Sequence, residues 1–326
     1  MKYLILSPRW TVSRLGSDLF FRSDDKQIEI KNIENIENIE NIENIIEKIQ
    51  AGPFLSESLL EPLLDFLLSR KILVSSDGYK QHPPKLDRQC EYWRSLNENP
   101  SDALNRIQSA HVSIVGVGGI GSIVAEILSG CGVKNFSLID NDRVEESNFN
   151  RQYLFEDKDI GEFKSYVVKE WIISRHQDAR VDTYIETYPN NKVRDKIFEK
   201  SDLIIASFDM PSIDAPLSLL EDCWEAGIPS AFATTGITKC LISPIFDPSL
   251  SELPPIKAFE ISHHMKDRPP VIASSGASNS YTASFLSEQA MLHLAGIKEE
   301  VNYSHSMILS RRSGKVSSSF HKIVKI

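Results

Sequence analysis

The residues best suited to chemistry lie between His111 and Asp209. Gly116, Gly118, Gly119 and Gly121 follow a short apolar run, Val112, Ile114 and Val115, and such a turn can bring bare N–H groups up to a phosphate. Ile123, Val124, Ile127 and Leu128 then recur at helical spacing, so a helix N-terminus points positive partial charge at the same place. A second apolar run, residues 136–139, ends in Asp140, about where an acid commonly takes a ribose hydroxyl. Alone, this pattern says dinucleotide or nucleotide, with an NAD-dependent dehydrogenase first in order. The residues beyond Asp140 reverse that order. Asn148, Asn150, Arg151 and Gln152 sit in the following loop, Lys164 comes after Gly161, and Asp209 closes another apolar run, 203–208. Hydride transfer has no use for them. Arg151 and Lys164 are cations suited to a triphosphate and Asp209 is an anion suited to its magnesium, which together describe phosphoanhydride chemistry.

At these residues the chain resembles the ThiF/MoeB family, ATP-dependent adenylating enzymes that include the activating enzymes of ubiquitin. The likeness rests on the run GVGGIG, on the spacing of Asp140, Asn148, Arg151 and Lys164, and on Asp209 at the end of the next matching strand. It spans roughly residues 85–290 and is most evident toward the microcin C type, which adenylates a ribosomal peptide. The resemblance implies ATP and Mg2+ as cofactors. Gly116, Gly118, Gly119, Gly121, Asp140, Asn148 and Gln152 would hold the nucleotide, while Arg151, Lys164 and Asp209 would act on the phosphates, Asp209 through magnesium. It also implies an arginine reaching the partner subunit's phosphates in a homodimer, with Arg88 the match and Arg94 its competitor. The adenylate would be captured by an amide nitrogen, as in the microcin C type, or cyclised, as in the pantocin type. A dehydrogenase and a non-catalytic nucleotide-sensing scaffold are the rival readings.

Many family members hold a structural zinc with two CxxC pairs, and this chain has neither. Cys90, Cys131, Cys223 and Cys240 are scattered, so the expectation is no zinc, no disulfide framework and four small buried hydrophobes. A formal charge of -9 argues against nucleic acid and anionic membranes as partners. No run of about 18 apolar residues exists and the first residues carry no secretion signal, so a cytoplasmic protein is expected.

These residues need elements to position them. Alternating strands and helices, with apolar strands at 181–186, 203–208 and 228–233 and a helix over 193–199, predict an α/β, Rossmann-like, mostly parallel sheet with helices on both faces. Asp140 and Asp209 would then share the C-terminal ends of its strands. Residues 247–270 are rich in proline and read as a long loop, whose family counterpart crosses the active site. Lys257, His263, His264, Lys266 and Arg268 there could meet an acidic group. Asn279 resembles an asparagine of the microcin type and precedes a helix over 281–294, and residues 307–326 read as a hairpin turning at Ser313-Gly314.

Upstream lies a small winged-helix-like α+β unit, 1–82, separated by a linker at 76–84 from an adenylating domain at 83–326. Residues 3–6, 18–22 and 27–30 read as strands. A tandem NIE repeat leads into a helix over 34–50, or a looser segment, stopped by Gly52-Pro53. Residues 56–70 read as a helix capped by Ser56, with Leu59, Leu60, Leu63, Leu64, Leu67 and Leu68 on one face, and 71–75 as a strand. The arrangement resembles the peptide-binding domains attached to peptide-modifying enzymes, where a leader adds to a sheet edge, so a ribosomal precursor peptide is the expected partner.

Overall fold

The computed structural model describes residues 3–31, 42–59, 61–76, 84–96, 99–210, 215–258, 273–310 and 313–320. The chain forms two compact units, one ending at Leu104 and the other starting at Asn105.

The front unit runs β1 (Tyr3–Leu6), β2 (Thr11–Leu15), β3 (Asp18–Arg22), β4 (Gln27–Ile30), α1 (Ile42–Gln50), β5 (Phe54–Leu55), α2 (Glu61–Ser69), β6 (Leu73–Ser75) and α3 (Asp87–Leu96). Its strands form two antiparallel sheets, β5-β1-β6 and β2-β3-β4. Alternation along β3 turns Leu19 and Phe21 inward, and the four-residue spacing of Ile45 and Ile49 does the same for α1; both pairs join one core with Trp10, Leu63 and Leu67. Helix α2 begins later than its leucine pattern predicts. Residues Ser56–Ser58 form a separate 3-10 turn, capped at Leu55 without any side-chain bond, so Ser56 is not the cap. Pro62 lacks an N–H and is tolerated only in a first turn, which sets the start at Glu61. Leu59, Leu63 and Leu67 are buried as one four-residue stripe, Leu64 is partly buried against the same core, Leu68 is exposed, and Leu60 lies outside the described residues. Most of the NIE repeat and of the expected linker falls outside the described residues.

The division falls within α4 (Pro100–Ser109), which leads into the second unit's β7 (His111–Val115), α5 (Gly121–Gly130), β8 (Asn135–Ile139), α6 (Lys164–Arg175), β9 (Arg180–Tyr184), α7 (Asn191–Phe198), β10 (Leu203–Ala206), α8 (Ala215–Glu225), β11 (Ser230–Thr235), β12 (Lys239–Ile242), α9 (Pro255–Ala258), α10 (Gly276–Ala295), β13 (His305–Ser310) and β14 (Val316–Phe320). One eight-stranded sheet has the order β14-β13-β12-β11-β10-β7-β8-β9. Its five strands from β11 to β9 are parallel, as expected, and β12, β13 and β14 extend it antiparallel. Residues 112–115, 136–139 and 203–206 are buried without alternation, the mark of strands covered on both faces. On one face α7 and α8 bury Val193, Ile197, Leu219 and Leu220 against Val115, Ile139, Ile204 and Ala206. Helix α5 packs with both α10 and α6, apart from that cluster. Strand order reverses between β7 and β10, and at such a switch point two connections diverge and leave a crevice at the strands' C-terminal ends. No described helix is long and apolar enough to cross a membrane.

Candidate functional site

The glycine turn is shaped by what lies behind it. Gly116 has φ +88, a left-handed backbone, and a Cβ there would come within 2.7 Å of the Ser207 carbonyl oxygen. A Cβ on Gly121 would strike the Gly116 carbonyl oxygen and stand 2.5 Å from Ser207 Oγ, and one on Gly119 would strike Asn279 Nδ2. The turn is thereby clamped between the end of β10 and α10. Gly118 differs: a Cβ there meets only Gln152 Nε2, at 3.9 Å, so no protein atom demands the glycine.

Asp140 ends β8 and holds the turn from the other side. Its Oδ2 accepts from Val117 N–H at 2.7 Å and its Oδ1 from Asp142 N–H at 2.8 Å. Burial pushes its carboxyl above the usual carboxylate range, against the pull of the Asp142 N–H and the Lys164 charge.

After Asp140 the chain makes an excursion that closes on itself. An isolated bridge pairs Arg143 with Phe163. Val144 N–H donates to Glu162 O at 2.8 Å, and Gly161, at φ +90, donates to Val144 O at 2.9 Å. The Arg143 guanidinium lies 3.8 Å from the centre of the Phe163 ring, a cation–π contact. Closure sets Lys164, the first residue of α6, beside Asp142, with Lys164 Nζ donating to Asp142 Oδ2 at 2.8 Å. Lys164 is buried. Asp142 did not stand out in the sequence; its only signal was one-residue separation from Asp140.

Inside the excursion Asn148 is buried in a 3-10 turn, its Oδ1 accepting from Glu145 N–H at 3.0 Å. It does not line the cleft. Arg151 Nη1 donates to Ser147 O at 2.7 Å and to Asn150 Oδ1 at 3.0 Å. Gln152 is buried, and its Oε1 has no partner among the described residues, an arrangement that costs about 1–3 kcal/mol where no donor arrives.

Gly116, Gly118, Gly119, Asp140, Arg151, Gln152, Lys164 and Asp209 all line one cleft of about 390 Å³, within the range of small-molecule sites. Asp209 is exposed there, past the end of β10. Loss of hydration raises its carboxyl above the ordinary value; the charge of Asp142 pushes the same way, and those of Arg151 and Lys164 oppose it. Thr235, Ser274 and Asn279 form another wall, where Thr235 Oγ1 donates to Asn279 Oδ1 at 2.9 Å. Gly121 supports the turn from behind and is not a lining residue.

The remaining expected residues lie elsewhere. Arg88 is exposed on α3 in the front unit, and Arg94 on the same helix is buried and paired with Glu91 at 2.7 Å. Lys257 is exposed on α9, whereas His263, His264, Lys266 and Arg268 lie outside the described residues. All four cysteines are free and buried, and burial pushes the Cys90 and Cys131 thiols up to about 11.

A Rossmann-like sheet with a glycine turn, an acid and two cations gathered at its switch point defines a nucleotide-binding protein. Residues 91–317 match the ThiF family, and the chain belongs to it, a family of ATP-dependent adenylating enzymes. Among curated relatives it is 33% identical over 137 residues to the adenylyltransferase and sulfurtransferase UBA4 of Eremothecium gossypii, covering 40% of this chain and 30% of that protein. It is 30% identical over 105 residues to SUMO-activating enzyme subunit 2 of Dictyostelium discoideum, 32% of this chain and 16% of that one. The matched stretches thus span less than a third of either relative. Among solved structures, E. coli MccB with ATP is similar at a TM-score of 0.81 and 21% identity, covering 99% of this chain and 98% of that chain. PaaA is similar at 0.72 and 20% identity, covering 96% and 98%. At these identities the structural likeness speaks for the fold.

Proposed function

We propose that the chain activates a carboxylate of a ribosomally made precursor peptide as an acyl adenylate. The observation that carries this reading is the meeting of the glycine turn, Asp140, Arg151, Lys164 and Asp209 in one cleft. A peptide carboxylate oxygen attacks the α-phosphorus of ATP, a new O–P bond forms, the bond to the bridging oxygen breaks, and pyrophosphate leaves. No protein nucleophile is required, so catalysis is mainly placement and charge. The N–H groups of the turn and the start of α5 face the phosphates. Arg151 and Lys164 offset the charge that moves onto the departing pyrophosphate. Both oxygens of Asp140 already accept a backbone N–H, and their remaining lone pairs take a ribose hydroxyl. Gln152 Oε1 is an acceptor without a donor among the described residues. Asn148 acts indirectly, by holding the turn whose Ser147 carbonyl receives Arg151.

Magnesium, accompanying ATP, supplies charge neutralisation at the phosphate oxygens. Its fit is judged from the donors present. Asp209 is exposed at the cleft, and no group of three or more His, Cys, Asp or Glu that could hold a metal ion gathers among the described residues. That suits an ion held by one or two carboxylates, waters and phosphate rather than by a protein cage.

The peptide reading draws support from MccB, which is solved in complex with N-formylated MccA and, separately, with ATP. Among the described residues the two sheets of the front unit end on β2, β4, β5 and β6, and edge strands are where an extended leader adds by strand addition. A homodimer in which Arg88 reaches the partner's nucleotide completes the proposal. ATP–pyrophosphate exchange with candidate precursor peptides tests it: peptide-dependent exchange supports adenylation, and nucleotide binding without exchange would leave a sensing scaffold.

A further inference from the structure

The reading above employs Asp140 and Lys164 but gives no part to the acid bonded to both. Three hydrogen bonds run in series from the glycine turn to the Lys164 ammonium. Val117 N–H donates to Asp140 Oδ2 at 2.7 Å, Asp142 N–H donates to Asp140 Oδ1 at 2.8 Å, and Lys164 Nζ donates to Asp142 Oδ2 at 2.8 Å. A fourth bond, Lys164 N–H to Asp142 O at 3.0 Å, ties the same two residues through their backbones. Asp142 therefore has both its N–H and its carbonyl engaged, and its carboxylate is held by the backbone that Asp140 anchors.

A lysine ammonium is a compact charge on a flexible four-carbon stem with three donors, and nothing in the stem selects one direction. Here the stem is enclosed, with the Lys164 side chain 7% exposed, while that of Asp142 is 63% exposed. An exposed surface pair with this geometry would be worth little. This pair differs because the backbone of Asp142 is tied through the Asp140 carboxylate to the glycine turn and the Lys164 side chain is buried beside the cleft.

We infer that Asp142 is a positioning residue for adenylation: its carboxylate sets the Lys164 ammonium at a fixed place relative to the glycine turn, with two of its three protons left for phosphate oxygens. The inference rests on the proposed function, since it gives the ammonium a phosphate to meet. Asp142 also lines the cleft; its positioning role is exerted through Lys164. The Arg143–Phe163 bridge is what brings the two together, so the loop carrying Arg151 and Gln152 and the Lys164 ammonium are placed by the same closure.

A double-mutant cycle on the full chain tests this. Affinity for a non-hydrolysable ATP analogue with magnesium is measured by calorimetry for the native protein, Asp142→Asn, Lys164→Met and the double variant, with melting followed in parallel. Asp142→Asn is expected to weaken binding about tenfold in the native background, as for loss of a charge-assisted bond, and less than about twofold once Lys164 is Met. Asp142→Glu keeps the charge but displaces it by one methylene, and should show the same dependence on Lys164 if the Asn variant melts early. Effects that multiply, with Asp142 costing as much in the Lys164→Met background as alone, would overturn the positioning role while leaving the proposed function standing. A native chain that binds no magnesium nucleotide would overturn both.

Discussion

Gly121→Ala sets two known effects against each other, and the structure decides between them. Gly121 is the first residue of α5, and alanine is the better helix former by about 0.8–1 kcal/mol. The added methyl, however, has no room: it strikes the Gly116 carbonyl oxygen, meets Ser207 Oγ at 2.5 Å and the Gly116 carbonyl carbon at 3.0 Å. Two of these three atoms are backbone of the turn, so relief requires the turn itself to move. Overpacking of this kind costs roughly 1–3 kcal/mol, and a clash with backbone belongs at the upper end. The balance is a net loss of about 1–2 kcal/mol, which for a unit of 150–250 residues lowers the melting temperature by roughly 2–8 °C. Nucleotide binding should suffer more than stability. A turn displaced by a few tenths of an ångström misaligns N–H groups aimed at phosphate, and one lost charge-assisted bond is worth about 1.5–3 kcal/mol, or roughly tenfold to a hundredfold in affinity. Gly130→Ala is the control, because it lies at the far end of the same helix with nothing within 4 Å of its Cβ. It should raise the melting temperature by about 1–4 °C and leave ATP affinity unchanged. Calorimetric titration with ATP and thermal melts of both variants read these outcomes. A Gly121→Ala protein that binds ATP as tightly as the native chain would refute the claim that the turn is clamped from behind.

Other expectations are equally exposed to experiment. Lys164→Ala and Asp209→Ala should each cut ATP–pyrophosphate exchange about a hundredfold or more while circular dichroism stays native, the scale of one lost electrostatic contact in a transition state. Elemental analysis of purified protein should find well under one zinc per chain; one tightly bound zinc per chain would contradict the reading of the cysteines. At pH 8 the Cys90 and Cys131 thiols, pushed up by burial to about 11, are thiolate in only roughly one molecule in a thousand. Alkylation at these sites should therefore be slow until denaturant is added. Removing residues 1–82 takes away no member of the Leu86, Cys90 and Leu104 cluster and should weaken precursor-peptide binding far more than ATP binding, as measured by titration of a truncated chain that is shown to be folded.

The sheet was legible because parallel strands are buried on both faces and leave unbroken apolar runs. Residues 112–115, 136–139 and 203–206 read directly as strands, and each ends within three residues of a cleft group. Strand β12 was harder. The apolar run from Cys240 to Phe246 overlaps it, but the strand starts at Lys239 and ends at Ile242, and Phe246 instead pairs singly with Ser230. Hydrophobicity reports burial there and not pairing. Residues 56–70 misled for a related reason: six leucines specify a broad face, whereas Pro62 decides where the helix begins.

The site shows the same division between chemistry and placement. Arg151, Lys164 and Asp209 were readable because a cation or an acid beside a glycine turn has few other uses, and all three line the cleft. Asn148 was readable as a position but not as a role, since an amide can bind phosphate or cap a turn equally well; here its Oδ1 accepts from Glu145 N–H. Asp142 was silent because its importance is a contact with a residue 22 positions away, created by the Arg143–Phe163 bridge, and no local pattern announces such a closure. A single mechanism thus explains both what could be read and what could not. Groups proposed to meet the nucleotide are limited by charge and leave a signature in residue type. Groups that hold them in place are limited only by geometry, and that becomes visible when the chain has folded.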